Sequence, residues 1–78
     1  MHVVVYRKPG CPLCDEAVEL LAEVEPPVEL ELRNILERDD WFTTYRYRIP
    51  VVVIDGIERL ELRFSAQELN AALAAARK

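Results

Sequence analysis

The chain has 78 residues, of which 51% are hydrophobic and 31% charged, with a net charge of −4. That is one domain, residues 1–78, with an economical core; it is too apolar for a disordered tail, and no apolar run of about 18 residues exists to span a membrane. The acidic balance argues against nucleic acid, whose binding rests on phosphate neutralisation, and Met1–Lys8 lacks a secretory layout, so a cytoplasmic protein is expected.

His2–Tyr6 is short, β-branched and continuously apolar, which predicts a buried central strand ending at the loop Arg7-Lys8-Pro9-Gly10. A helix is expected from Cys11, with Pro12 at its first position, where a missing N–H is no loss. Asp15 and Glu16 suit the positive end of the helix dipole. Leu13, Ala17, Leu20, Leu21 and Val24 form its apolar face, and Pro26-Pro27 stops it. Val28–Leu32 alternates strictly and reads as a strand with one buried face.

Asn34 with Glu37 three positions on resembles a cap for a second helix, with Ile35, Leu36, Phe42 and Tyr45 inward and Trp41 partly exposed. Val51–Ile54 is continuously apolar, hence another central strand. Asp55-Gly56 predicts a two-residue type I′ turn into an edge strand, Ile57–Leu62, with Glu58, Leu60 and Leu62 on one face. The last helix is capped by Ser65 with Glu68 in a capping box, and Phe64 and Leu69 form a staple. Leu69, Ala72, Leu73 and Ala76 make its buried face, and Arg77 and Lys78 lie at the end that favours cations. The order is β-α-β-α-β-β-α, an α/β fold whose first crossover is right-handed and parallel.

Cys11 and Cys14 stand as Cys-Pro-Leu-Cys. A loop this small removes little unfolded-state entropy, so the pair is no structural staple. At a helix N-terminus, free N–H groups and the dipole favour thiolate, and a cysteine there titrates at about 3.5–7.5 instead of about 8.5. Arg7 and Lys8 add positive charge, while Asp15 and Glu16 oppose it. Cys14, one turn on, is within reach of Cys11, so thiol–disulfide exchange follows: Cys11 attacks and Cys14 resolves. Rival readings are a metal or iron–sulfur cluster held across a dimer, and two cysteines acting as small buried hydrophobes. A zinc site within one chain lacks ligands, since His2 is the sole histidine. Two readings of Pro50 stand: a strand-start proline, or a cis Ile49–Pro50 bend beside the cysteine loop that opens the Ile49 backbone to an extended substrate.

Taken together, the element order, Pro9-Gly10-Cys11-Pro12-Leu13-Cys14 after the first strand and Ile49-Pro50 before the third resemble a glutaredoxin of the thioredoxin superfamily, and especially its small glutaredoxin-like members. The resemblance covers His2 to about Ala75. It implies a four-stranded mixed sheet flanked by helices, Cys11 as nucleophile, Cys14 as resolving cysteine, a cis Ile49–Pro50 bond and a monomer without bound cofactor or metal. Lys8, Pro12, Leu13, Ile49, Pro50 and Ser65 become the expected substrate-binding residues. The chain departs from the family at Leu13, where an aromatic residue is usual, and at Arg63-Phe64-Ser65, where a glycine pair is usual. Protein disulfides and glutathione are both candidate substrates, and a thiol or a reductase is the candidate electron donor. A non-catalytic binding module on the same fold is the remaining alternative.

Overall fold

The computed structural model describes residues 1–77. In chain order it comprises β1 (His2–Arg7), α1 (Pro12–Ala22), β2 (Glu29–Asn34), a single 3-10 turn (Ile35–Glu37), α2 (Asp39–Tyr45), β3 (Val51–Ile54), β4 (Ile57–Glu61) and α3 (Ala66–Ala76). The strands form one mixed sheet in the order β2-β1-β3-β4. β1 pairs parallel to β2, with Val3 opposite Leu30 and Val5 opposite Leu32. It pairs antiparallel to β3, with Val3 opposite Ile54 and Val5 opposite Val52. The expected β-α-β-α-β-β-α order and mixed four-stranded sheet are therefore present. No helix among the described residues is long and apolar enough to cross a membrane.

Both sheet faces are covered, which explains why β1 and β3 read as continuous apolar runs. Successive side chains of a strand point to opposite faces. Val3, Val5, Val52 and Ile54 meet Leu21 and Val24 of the α1 region and Leu69 and Leu73 of α3. Val4, Tyr6 and Val51 face the other way and pack with Cys14, Ile35 and Ile49, against which Trp41, Phe42 and Tyr45 of α2 lie. The larger aliphatic cluster and the smaller aromatic one thus share the same two central strands.

Three local expectations are corrected. The second helix does not run on from Asn34. The Asn34 side chain caps only the 3-10 turn, accepting from Leu36 N–H at 2.9 Å. Arg38 is then extended (φ −141°, ψ 133°), and α2 starts afresh at Asp39 with no side-chain cap. Leu36 consequently points out, 57% exposed, while Ile35 is buried. Secondly, a bulge between Val52 and Val53 breaks the alternation of β4. Leu60 pairs with Val52 and joins the aliphatic cluster, whereas Glu58 and Glu61 pair with Val53 and Val51. Glu58 therefore shares a face with Glu61, not with Leu60. Thirdly, α1 ends at Ala22 with Glu23 as its cap, short of the proline pair.

The turn chemistry is as the residues dictate. Asp55 and Gly56 both have positive φ (48° and 86°), as a type I′ turn requires. Ser65 Oγ accepts from Glu68 N–H (3.1 Å) while Glu68 Oε1 accepts from Ser65 N–H (3.0 Å), which completes the capping box. Arg77 is the C-cap residue of α3; Lys78 lies outside the described residues.

Candidate active site

The parallel β1–β2 crossover places the start of α1 directly after the central strand. Gly10 makes the turn at φ +75°, a backbone region that glycine enters without steric cost. Cys11 is the N-cap residue in extended conformation (φ −107°, ψ 103°), and Pro12 opens the helix. Cys11 Sγ accepts from Cys14 N–H at 3.2 Å. A side chain of the cap residue satisfying one of the first free N–H groups is ordinary helix capping; here the acceptor is sulfur. The two cysteines are joined as a disulfide, with Cα atoms 5.2 Å apart.

Their environments differ in the way sequential attack needs. Cys11 is half-buried at the surface, whereas Cys14 is 0% exposed and packs with Ile49, Val51 and Tyr6. Behind Cys14 stands an aromatic wall: Tyr6 stacks on Tyr45 at 4.1 Å and meets Trp41 edge-on at 5.6 Å. Arg33 ties this wall to the edge strand, donating to Tyr6 OH at 2.8 Å and to Glu31, with its guanidinium over the Tyr6 and Trp41 rings. The Tyr45 hydroxyl titrates above the usual tyrosine range because burial, and then the adjacent Tyr6, disfavour its anion.

The other expected site residues fall into three groups. Lys8 and Pro12 are exposed on either side of Cys11, and Leu13 is half-buried. Ile49 and Pro50 are buried, joined by a cis peptide, with Ile49 in the same cluster as both cysteines. Neither the N–H nor the C=O of Ile49 has a protein partner among the described residues. Instead one donor, Leu62 N–H, reaches the carbonyls on either side of it, Pro50 at 2.9 Å and Arg48 at 3.3 Å. Ser65 stands alone as the third: its hydroxyl and N–H are taken up by the capping box, and it lines a separate cleft.

That cleft, of about 570 Å³, runs between α1 and the start of α3. Glu16, Glu19, Leu20 and Glu23 line one side and Arg63, Phe64, Ser65, Ala66 and Glu68 the other. Glu16 follows Pro12 by one helical turn on the same side of α1. Leu20, Phe64 and Ala66 supply its apolar lining, and four glutamates against Arg63 make its charge acidic.

Residue patterning missed two contributors. Arg48 carries a doubled ion pair, to Glu61 (3.0 Å) and to Glu58, and lies 5.6 Å over the Tyr45 ring. The signal available in the sequence is the placement of Tyr45-Arg46-Tyr47-Arg48 just before Ile49-Pro50. Leu62, at φ +61°, carried no signal, since nothing marks a leucine for the left-handed region. His2 is a surface residue at the strand end, beside Glu31 (3.3 Å) and Glu29 (3.7 Å). Among the described residues, no three histidine, cysteine or carboxylate side chains are grouped as a metal site would need.

Comparison with known proteins agrees with this architecture. A solved structure from X. campestris, the structural-genomics target protein XcR50, is 30% identical and superposes with a TM-score of 0.82, covering 94% of this chain and 96% of that one. Thioredoxin 1 from the thermophilic eubacterium Thermosipho africanus TCF52B, at 16% identity, shares the fold with a TM-score of 0.59 over 100% of both chains. The family model described as Glutaredoxin-like domain (DUF836) matches residues 2–74. With a strand–loop–Cys-Pro-Leu-Cys–helix unit inside a thioredoxin-like sheet, the chain belongs to the glutaredoxin-like domain family.

Proposed function

We propose that the protein is a thiol–disulfide oxidoreductase that reduces disulfides of other proteins. One observation carries the reading: a half-buried Cys11 at a helix N-terminus, bonded to a fully buried Cys14 one turn on.

In the reduced protein the Cys14 N–H and the open end of α1 stabilise negative charge on Cys11 sulfur. Cys11 thiolate attacks one sulfur of a substrate disulfide. A Cys11–substrate mixed disulfide forms, and the other substrate sulfur departs as a thiolate and takes a proton. Cys14, shielded from solvent and so from external disulfides, then loses its proton and attacks Cys11 sulfur. The second substrate thiol leaves, and the Cys11–Cys14 bond holds the two electrons' worth of oxidation. An external thiol or a reductase restores the dithiol, which suits a reducing compartment such as the cytoplasm and a protein acting as a monomer. Lys8, Pro12 and Leu13 would border the incoming disulfide, and Ile49 would offer its free N–H and C=O to an extended substrate segment.

The acidic cleft favours a protein segment over glutathione. Glutathione carries two carboxylates and one ammonium group, and four glutamates against Arg63 border the place where the start of α3 would meet it. Ser65, moreover, directs its hydroxyl into its own helix.

The decisive experiment is reduction of a protein disulfide by the wild type, Cys11→Ser and Cys14→Ser. Cys11→Ser should abolish the reaction. Cys14→Ser should accumulate a mixed disulfide visible by mass. Full activity in both variants would end the redox reading. A coloured, metal-containing dimer of the native protein would replace it with the cluster-binding one.

A further inference from the structure

We propose that Arg48 is a positioning residue that holds Ile49 in register for pairing with a substrate strand; this rests on the redox reading above. Arg48 immediately precedes Ile49, whose backbone groups are unpaired among the described residues. Unpaired groups on a connecting segment are useful only if the segment is held still, because an ordered strand partner must be met by an ordered edge.

Arg48 supplies that hold from three directions. Its carbonyl accepts from Leu62 N–H (3.3 Å), the same donor that reaches Pro50 C=O at 2.9 Å. Ile49 is therefore straddled by one donor that touches the residue on each side of it. The guanidinium donates to Glu61 (3.0 Å) and to Glu58, both on β4. It also lies over the Tyr45 ring at 5.6 Å, which ties the segment to α2. Arg48 N–H donates to Tyr45 C=O at 2.8 Å.

The β4 bulge is what makes the doubled ion pair geometrically available. Without the extra residue, Glu58 and Glu61, three apart, would face opposite sides of the strand. With it, both face Arg48's side. Leu62 contributes through its left-handed backbone, which aims its N–H between the two carbonyls. A planar guanidinium forks onto two carboxylates as a lysine ammonium cannot. The segment before Ile49 is thus fixed to β4 and α2 at once, while Ile49 is left free.

The test separates substrates that have a peptide backbone from one that has none. KM and kcat are measured for a disulfide-bonded extended peptide and for hydroxyethyl disulfide, with wild type, Arg48→Met, Arg48→Lys and Glu61→Gln. The loss of charge-assisted hydrogen bonds predicts that Arg48→Met raises KM for the peptide about five- to tenfold, with kcat and the small disulfide changed less than about twofold. Arg48→Lys should recover part of the peptide KM, and Glu61→Gln should raise it about two- to threefold. Glu61→Gln retains the Glu58 arm, so it reports even if Arg48→Met does not fold. Equal losses on both substrates, or no change in peptide KM for Glu61→Gln and Arg48→Met, overturn the proposal. Wild type that reduces neither substrate removes the redox reading itself, a different and recognisable outcome.

Discussion

The acidic cleft between α1 and α3 makes a charge-selectivity prediction that can be worked from its lining. Glu16, Glu19, Glu23 and Glu68 against Arg63 leave the walls at −3. For a ligand charge about 8 Å away, each unit pair contributes about 0.5 kcal/mol in water, and about 0.2 kcal/mol after screening over one Debye length. Three wall charges therefore give about 0.6 kcal/mol per unit of ligand charge. Two peptide disulfides of equal length, with net charges of about +2 and about −1, should differ by about 1.7 kcal/mol, or about 18-fold in kcat/KM. Replacing Glu19 and Glu23 together by Gln leaves −1 on the walls and should cut that ratio to about 2.5-fold. Raising salt to about 1 M shortens the Debye length to about 3 Å and should bring the wild-type ratio below about twofold. The assay is steady-state reduction of both peptides by each protein at low and high salt. A wild-type ratio near one at low salt, or a ratio untouched by the double substitution, refutes the reasoning.

Three further outcomes follow from the packing and the caps. Ser65→Ala removes the acceptor for Glu68 N–H and should lower stability by about 0.5–2 kcal/mol in urea unfolding, with Cys11 alkylation unchanged. Leu73→Ala opens a hole in the aliphatic cluster, where Leu73 is buried, and should cost about 2–5 kcal/mol, lowering Tm by about 10 °C or more. On acidification, Glu31 and Asp40 matter: Arg33 and then His2 hold the Glu31 carboxyl below the usual range, and Arg38 does so for Asp40. Their folded pKa values lie below the unfolded ones, so their contribution is fully present above the unfolded carboxylate pKa, declines below it and is lost as pH falls through the folded one. Chemical denaturation should therefore show stability declining below about pH 4.5, and Arg33→Met should flatten part of that decline.

Much of this molecule was legible from residue order because local and global preferences agree. The β-branched runs at Val3–Val5 and Val51–Ile54 became the central strands, Asp55-Gly56 turned as expected, and Ser65 with Glu68 closed the capping box. The Cys-Pro-Leu-Cys unit sits at the helix start, where proline at the first position and the apolar run and loop before it placed it. What was not legible depends on backbone events without a residue signature. The bulge in β4 shifts every later side chain to the opposite face, so Glu58 parts from Leu60 although simple alternation pairs them. The break at Arg38 splits one expected helix into two, because Asn34 caps the first turn and Asp39-Asp40 suit the start of another. Leu62 in the left-handed region follows from what its N–H must reach, a tertiary demand invisible along the chain.

The sharing of β1 between two clusters has a consequence for how variation in this protein should be distributed. Val3 and Val5 point to the aliphatic cluster and Val4 and Tyr6 to the one that holds Cys14. A saturation mutagenesis library scored in parallel for abundance and for disulfide turnover should therefore separate the two traits with a two-residue beat along a single strand. Odd positions would trade off mainly against folding yield, and even positions mainly against turnover per folded molecule. Selection acting on heat resistance and selection acting on substrate range would then leave interleaved, nearly independent records within the same few residues.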